Sequence, residues 1–338
     1  MKKALLGGLR ILVPLGLGLW LVVYFYRQLD ESQRAELFTA FGQAHWGWLG
    51  LTVLLGWASH ASRAWRWRYL LDHLGHRVGF WNSYHATITG YFMNLLLPRA
   101  GEASRAMTLR RTDGVPFERG FGTILAERAV DMVMLLGIAA VTLLLQLDKL
   151  DTIQERIVRF RAAREAGQVE PISPWWWALA AAAVVAGIAL VLSRPAWRAV
   201  LRGVLRGLVD GIASVLGTKH KLPFLLHTFL IWGLYVAMFA VGYQALPETA
   251  AVPMAGVMAA FIAGSLGIIL VQGGIGVYPA FVALITGIYM AAPEGGGLIR
   301  PDALAMGWLL WTVQTVMIIA LGGLSLLLVA RKSAPPQP

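Results

Sequence analysis

Three ionisable residues lie inside a segment that is otherwise apolar. Glu127, Arg128 and Asp131 have mainly Leu, Ile, Val, Ala and Met as neighbours. Residues three or four positions apart share a helix face, so Glu127 and Arg128 point roughly the same way as Asp131, and we expect Arg128 to pair with these carboxylates. Charged side chains inside an apolar helix are costly and usually functional, which makes both carboxylates candidates for proton coupling. The structural alternative is a set of ion pairs that joins this helix to Arg63 or Arg66.

A short turn carries two arginines and a glutamate. Arg99, Glu102 and Arg105 follow Pro98, and Gly101 lies between them. A guanidinium group offers a planar fork of N–H donors that fits phosphate or carboxylate, and glycine lets the backbone approach a ligand closely. The turn therefore predicts a site for an anionic headgroup, in which Glu102 pairs with an arginine when no ligand is bound. The alternative is an ordinary basic surface loop.

A glycine-rich turn is the third candidate element. It consists of Gln272, Gly273, Gly274 and Gly276, with Ile275 between the last two glycines. Backbone N–H groups in such a turn can form a nest that holds a phosphate. Glycines also permit close helix packing in membranes, which is the structural alternative.

Composition indicates a membrane protein. Of the 338 residues, 57% are hydrophobic and 14% are charged, whereas soluble domains carry roughly 25% charged residues. Lys and Arg number 29 against 18 Asp and Glu, which we interpret as basic cytoplasmic loops rather than nucleic-acid binding. The sequence has no cysteine and no zinc-protease, Walker or nucleophile-elbow motif. We therefore expect neither a metal site nor a cofactor.

Apolar stretches predict the membrane spans, each of which needs roughly 20 residues. The candidates lie near 5–26, 46–62, 123–147, 174–193, 223–246 and 303–330. Lysine and arginine collect at both termini, directly after residue 62 and in the loop 194–222, whereas the loops 27–45 and 148–173 show no basic excess. By the positive-inside rule, the basic segments and both termini are cytoplasmic.

Residues 80–97 do not fit a simple crossing of the membrane. If they crossed it, every later loop would change sides and the basic loop 194–222 would lie outside. The segment is also rich in polar residues. We predict a hairpin within 80–119 that enters from the cytoplasm, turns at 97–101 and returns to the same side. Non-helical backbone at this depth is tolerated where protein or water surrounds it.

The same reasoning applied to residues 253–292 predicts a second hairpin. This hairpin enters from outside and turns at 272–276, and a pair of fully crossing helices is the alternative. Each half of the chain then consists of two spans, a hairpin and a third span. Because three crossings is an odd number, the second half is inverted relative to the first.

Weak sequence similarity supports this repeat. Thr89-Gly90 corresponds to Ala263-Gly264 at a spacing of 174 residues. The predicted fold is an all-α membrane protein with about six transmembrane helices and two re-entrant or paired-helix hairpins. It has a first half at 1–147, an external loop at 148–173 and an inverted second half at 174–338. Many secondary transporters have this layout.

Four motifs occur in order along the chain. They are Arg63-Ala64-Trp65-Arg66-Trp67, Pro98-Arg99-Ala100-Gly101-Glu102 with Arg105, Glu127-Arg128 with Asp131, and Gly273-Gly274-Ile275-Gly276. The ordered set resembles the flippase-like family, the membrane region of bacterial lysylphosphatidylglycerol synthases, over nearly the whole chain. The resemblance implies movement of lipid-linked headgroups between leaflets, and it brings Arg63 and Arg66 into the candidate substrate site. The soluble aminoacyl-transferase domain of full-length synthases is missing, so lysyl transfer is not expected.

These observations together predict a flippase-like transporter in the inner membrane. Its expected partner is an anionic phospholipid or a lipid-linked phosphate, with no nucleic acid, and we expect no enzyme activity. Because no ATPase motif occurs, the driving force would be a gradient or none. The alternatives are an intramembrane enzyme that modifies a lipid and an accessory subunit of an envelope glycosyltransferase.

Overall fold

The computed structural model describes five stretches of the chain and four isolated residues. They are 18–27, 29–97, 100–147, 217–290 and 300–331, with Gly16, Val158, Ala182 and Val215. Within these residues the regular elements are helices, as the sequence predicts, and none is a strand. The predicted span 174–193 and most of the loops 148–173 and 194–222 lie outside the described residues.

The helices are numbered here from the first one with both ends described; residues 18–27 are helical and precede it. They are α1 Glu31–Gln43, α2 Trp46–His73, α3 Phe80–Leu96, α4 Ala100–Asp113, α5 Phe117–Gln146, α6 Lys221–Gly242, α7 Pro247–Ala250, α8 Met254–Leu270, α9 Val277–Ile288 and α10 Pro301–Ala330. Short 3-10 turns at Tyr243–Ala245 and Gln272–Gly274 follow α6 and α8.

Three described helices are long and apolar enough to cross a membrane. They are Phe117–Gln146, Lys221–Ala245 and Pro301–Ala330, and they coincide with three of the predicted spans. Large apolar side chains remain exposed on them, such as Leu144 at 66% and Leu327 at 62%. Lipid tails are the environment in which such surfaces are stable, so the chain is a multi-pass membrane protein.

The second predicted span is longer than the apolar pattern indicates. Helix α2 continues from Trp46 to His73, so Arg63 and Arg66 lie within a helix and not in a loop. The helix ends at His73, and Gly75 follows the C-cap residue Leu74 with a φ of +85°, which allows a Schellman cap. Its hydrogen bonds are Gly75 N to Asp72 O at 3.0 Å and His76 N to Leu71 O at 2.9 Å. The prediction of a basic loop directly after residue 62 was therefore wrong.

The sequence predicts a loop at 27–45, but this segment contains helix α1. Asp30 caps it: its Oδ1 accepts a hydrogen bond from Gln33 N at 2.8 Å, and Gln33 Oε1 accepts one from Asp30 N at 3.1 Å. A hydrogen bond from the Ser32 hydroxyl is the main reason that the pKa of Asp30 lies below its usual value. Helix α1 packs against α10, which fixes this segment on the helical bundle.

Both predicted hairpins are pairs of packed helices. Helix α3 packs on α4, and α8 packs on α9. Glycines allow the close approach in each pair. A Cβ atom on Gly90 would lie 2.8 Å from the Gly101 carbonyl oxygen, and one on Gly264 would lie 2.8 Å from the Tyr278 ring. Each arm has at most 17 residues, fewer than the roughly 20 that a full crossing needs.

The first helices of the two hairpins share their length and the conformation of their C-terminal cap. Helices α3 and α8 have 17 residues each, and they begin at Phe80 and Met254, which lie 174 positions apart. Each ends on an extended residue, Leu97 with φ −133° and ψ 129°, and Val271 with φ −124° and ψ 132°. Helix α3 packs against α10 and α8 packs against α5, and α5 and α10 both have 30 residues.

Candidate functional site

Five charged side chains from α2, α4 and α5 meet inside the first half of the molecule. Each is at most 7% exposed. We name this group the buried ion cluster; its members are Arg63, Arg66, Arg105, Glu127 and Asp131. The nearby core residues Trp67, Leu71 and Ile124, which are fully buried, hold the three helices together around it.

Asp131 is held by two arginines of α2. Its Oδ2 atom contacts Arg63 Nη1, and its Oδ1 atom lies 3.0 Å from Arg66 Nη2. Arg63 and Arg66 share a face of α2 because they are three positions apart. Arg66 also donates a hydrogen bond from Nη1 to Thr228 Oγ1 at 3.0 Å. Because Thr228 belongs to α6, the cluster connects the first half of the chain to the second.

Glu127 bridges α2 and α4. Its Oε1 atom lies 3.3 Å from Arg66 Nε, and its Oε2 atom lies 2.8 Å from Arg105 Nη2. The Arg105 guanidinium also lies over the Trp67 ring, with Cζ 3.8 Å from the ring centroid. Trp67 is fixed in turn by donating from Nε1 to Thr123 Oγ1 at 2.8 Å. Arg105 is therefore a packed part of the fold.

The cluster carries more positive than negative charge. In the part of the chain that the structure describes, the carboxylates paired with Arg63, Arg66 and Arg105 are those of Glu127 and Asp131, which leaves one excess positive charge among fully or nearly fully buried groups. The buried Nε atoms of Arg63 and Arg105 make no hydrogen bond within the described residues. Burying a charge without a partner is costly. An anion bound beside the cluster would offset that cost.

Arg128 lies beside the cluster and is more accessible than its members. Its Nη2 atom is 3.4 Å from Glu102 Oε1, and the two side chains are 41% and 24% exposed. This pair borders a small cavity of about 10 Å³. The cavity is lined by Thr87, Gly90, Tyr91, Asn94, Gly101, Glu102, Arg105, Ile124 and Arg128. Asn94 Oδ1 accepts a hydrogen bond from Gly101 N at 2.7 Å, which fixes the start of α4 against α3.

The structure exchanges the roles that the sequence assigns to Arg105 and Arg128. Arg105 was predicted to face a ligand and instead pairs with Glu127 inside the protein. Arg128 was predicted to pair with Glu127 and Asp131, and its ion pair is with Glu102. Consecutive helix residues point about 100° apart, so Arg128 projects towards α4 when Glu127 projects into the cluster. Ion pairs to Arg63 or Arg66 were the structural alternative predicted from the sequence, and Glu127 and Asp131 do form such pairs.

The glycine turn has a different environment. Gly273, Gly274 and Gly276 all have positive φ, and Gly273 O accepts a hydrogen bond from Trp311 Nε1 at 2.6 Å. A Cβ atom on Gly273 would lie 3.5 Å from Leu95 Cδ2, near the end of α3. The structure therefore brings the tips of the two hairpins together.

Some predicted site residues lie outside what the structure describes. They are Pro98, Arg99 and the side chain of Gln272. Three residues that the sequence reasoning did not assign to the site are Asn94, Trp67 and Thr228, which position Gly101, Arg105 and Arg66. Asn94 carried a usable signal, a polar residue four positions before the proline of the predicted turn. Thr228 carried none, because one threonine in an apolar span is ordinary.

Comparison with known proteins agrees with this architecture. Residues 11–322 match the family described as the lysylphosphatidylglycerol synthase TM region, and the chain belongs to this family. This result confirms the resemblance found from the ordered motifs. No solved structure matches the chain.

Two curated relatives are similar over shorter segments. The glycosyltransferase AglD of Haloferax volcanii is 30% identical over 112 residues, which are 32% of this chain and 18% of that protein. The UPF0104 membrane protein MJ1595 of Methanocaldococcus jannaschii is 31% identical over 74 residues, 21% of this chain and 22% of that protein. The matched segments thus cover about a fifth of each relative's length.

Proposed function

We propose that this protein moves an anionic phospholipid or a lipid-linked phosphate between the leaflets of the inner membrane and does not modify it. The observation that carries the proposal is the excess positive charge of the buried ion cluster beside the cavity at Glu102 and Arg128. Arginine suits phosphate because its planar fork donates two parallel hydrogen bonds. In this proposal Arg128 contacts the headgroup, and the cluster supplies a fixed positive field.

The matching hairpins support transport as the activity. The equal length of their first helices, the spacing of 174 residues and the paired contacts of α3 with α10 and α8 with α5 favour an inverted repeat. Inverted repeats with broken segments at the repeat interface recur among secondary transporters. We infer that the headgroup crosses near the adjoining hairpin tips while the acyl chains stay in lipid.

The carboxylates of the cluster contribute to architecture in this proposal. Glu127 contacts two arginines, and so does Asp131. Such groups act as fixed charges, because loss of the Glu127 charge would leave the buried Arg105, and loss of the Asp131 charge would leave the buried Arg63, without a carboxylate partner among the described residues. We therefore propose that neither carboxylate carries the coupling proton, and that transport runs down the gradient of the lipid itself.

A reconstituted leaflet-exchange assay tests the function. Proteoliposomes would contain a fluorescent phosphatidylglycerol, and a membrane-impermeant quencher would report how fast it reaches the outer leaflet. The wild-type protein should accelerate exchange, and Arg128→Ala should slow it. Mass spectrometry of the lipids before and after should show no new species. A rate equal to that of protein-free vesicles would contradict transport, and a converted lipid would favour an enzyme.

The proposed orientation, with both termini cytoplasmic, has a separate test. Because the sequence has no cysteine, single cysteines can report sidedness. A cysteine at the exposed Ala35 on α1 should react with an impermeant maleimide added to intact cells, and one at the exposed Lys219 should react only after the cells are opened. The reverse pattern would overturn the orientation.

The similarity to the glycosyltransferase AglD favours a second candidate function. In this candidate the protein is an accessory subunit that presents a lipid-linked substrate to an envelope glycosyltransferase. The test is purification from the native membrane in mild detergent. A glycosyltransferase present in stoichiometric amount would support this function, and a chain that purifies alone while moving lipid would favour the transporter.

A further inference from the structure

The pair formed by Glu102 and Arg128 has the features of a contact that a ligand displaces. Its atoms are 3.4 Å apart, longer than the 2.8 Å between Arg105 and Glu127. Both side chains are partly exposed, whereas Glu127 is fully buried. Exposed ion pairs contribute little to stability. Glu102 can therefore leave Arg128 at small cost.

The cavity beside this pair is too small for a phosphate while Glu102 is in place. Its volume of about 10 Å³ is at the lower limit for a single water molecule. A phosphate group is larger than water, so an anion can enter this cavity between Arg128 and Arg105 only after the Glu102 carboxylate moves out. The 24% exposure of the Glu102 side chain shows that a route to the surface exists.

The groups that Glu102 would leave behind form a site for one anionic group. Glu102 is the third residue of α4, a helix of 14 residues, and a helix N-terminus favours negative charge. Arg128 would lose its only ion-pair partner among the described residues. Arg105, which is 4% exposed and lines the same cavity, has a buried Nε atom without a hydrogen-bond partner in this part of the chain.

Charge balance supports the same conclusion. With Glu102 in place, Arg128 is neutralised and the cluster retains one excess positive charge. When Glu102 moves out, two positive charges face the vacated space. A phosphate carrying one or two negative charges matches this excess better than a neutral headgroup does.

We propose that the Glu102 carboxylate is a built-in competitor of the substrate phosphate. It occupies the phosphate position at the start of α4 in the ligand-free state, and the phosphate displaces it to bind Arg128 beside Arg105. This inference rests on the proposed function and adds a regulation of the same site. It predicts that removing the Glu102 charge strengthens binding of an anion, because the competing carboxylate is lost while Arg105 and Arg128 remain.

Binding to the purified full chain in detergent tests the proposal. The probe is dioctanoyl phosphatidylglycerol below its micelle concentration; dioctanoylglycerol is the probe without phosphate, and inorganic phosphate tests the headgroup chemistry alone. Glu102→Gln should bind the phospholipid about two- to fivefold more tightly than wild type, as expected when a weak exposed pair is removed. Glu118→Gln makes the same chemical change at an exposed position of α5 and should bind like wild type.

Further variants keep the proposal falsifiable. Glu102→Asp should bind with an intermediate affinity, because its shorter side chain keeps the charge but reaches Arg128 less well, and it serves if Glu102→Gln does not fold. The gain should vanish in the double variant of Glu102→Gln with Arg128→Ala. Tighter binding of inorganic phosphate but not of the phospholipid would assign the site to a free anion and would overturn the competitor role for a lipid.

The outcomes separate this inference from the proposed function. If wild type binds and transports phosphatidylglycerol while Glu102→Gln binds equally or more weakly, the competitor role is refuted and the transporter remains. A gain of the same size in Glu118→Gln would also refute it, since the effect would then be general surface charge. If wild type neither binds phosphatidylglycerol nor moves it in vesicles, the proposed function itself fails.

Discussion

The two helical hairpins have similar backbones and unlike chemistry. The first, α3 with α4, borders five buried charged side chains and a cavity. The second, α8 with α9, is mainly apolar and turns through three glycines with positive φ. Their first helices nevertheless have the same length and the same cap conformation. The difference indicates that the same arrangement of helices can border a charged cluster in one half of the chain and a tightly packed glycine turn in the other.

The first hairpin should depend most on the buried ion cluster that it borders. Asp131→Ala would leave Arg63 and Arg66 without this carboxylate in a buried site. Breaking a buried pair costs about 3–5 kcal/mol, so we expect a large fall in melting temperature and in yield. The measurement is thermal melting of the purified protein in detergent, followed by the remaining monomer on size exclusion.

A polar residue in the second hairpin provides the control for this prediction. Within the described residues, the hydrogen bond that Ser265 on α8 donates is a local one, to Phe261 O at 2.8 Å. Ser265→Ala should therefore change the free energy of unfolding by roughly 0.5 kcal/mol or less, which is usual away from special features. If Asp131→Ala melted no earlier than Ser265→Ala, the contrast between the hairpins would not hold.

The glycine hairpin should depend on backbone conformation. Gly276 has a φ of +72°, and its Cα lies against the backbone of Gly18. Gly276→Ala would cost about 1–2 kcal/mol for the left-handed conformation, with an added cost for the collision. Gly75→Ala is the matched control, because Gly75 has a φ of +85° and no atom within 4 Å of an added Cβ. The melting temperature should fall further for Gly276→Ala than for Gly75→Ala. Equal falls would show that the turn rearranges to accommodate a side chain.

Only a small effect on stability is expected at Arg128. Its pair with Glu102 is partly exposed, and such pairs contribute about 0–1 kcal/mol. Arg128→Ala should therefore melt close to wild type while it slows leaflet exchange. Arg128→Lys should also slow exchange, since lysine keeps the charge and loses the planar fork. If Arg128→Ala melted as early as Asp131→Ala, Arg128 would belong to the buried ion cluster.

Much of the fold could be predicted from local sequence. The predicted spans 123–147, 223–246 and 303–330 all appear as long apolar helices, because apolar run length is a local property. The hairpin turns also lie at the predicted positions. The end of α2 was missed, since arginines at 63 and 66 are typical of a loop unless their partners are known. Those partners are 61 to 68 positions away.

The residues of the candidate site were predicted, and its pairs to Arg63 and Arg66 were predicted as the structural alternative, whereas the partners of Arg105 and Arg128 were not. The sequence singled out Arg63, Arg66, Glu127 and Asp131, and the structure brings all four together. It could not separate Arg105 from Arg128, because both are arginines near a predicted hairpin. Their different roles depend on the rotation of α5 about its axis and on the position of α4 against Trp67.

The sequence by itself therefore determined the helices, the apolar surfaces and the set of charged residues available to a site. These properties follow from run length, residue type and spacing along one segment. Only the tertiary structure decided which charges are neutralised, which remain in excess and which one lies open to a ligand. Ion pairs join helices that are distant in sequence, and one step along α5 separates the buried Glu127 from the accessible Arg128.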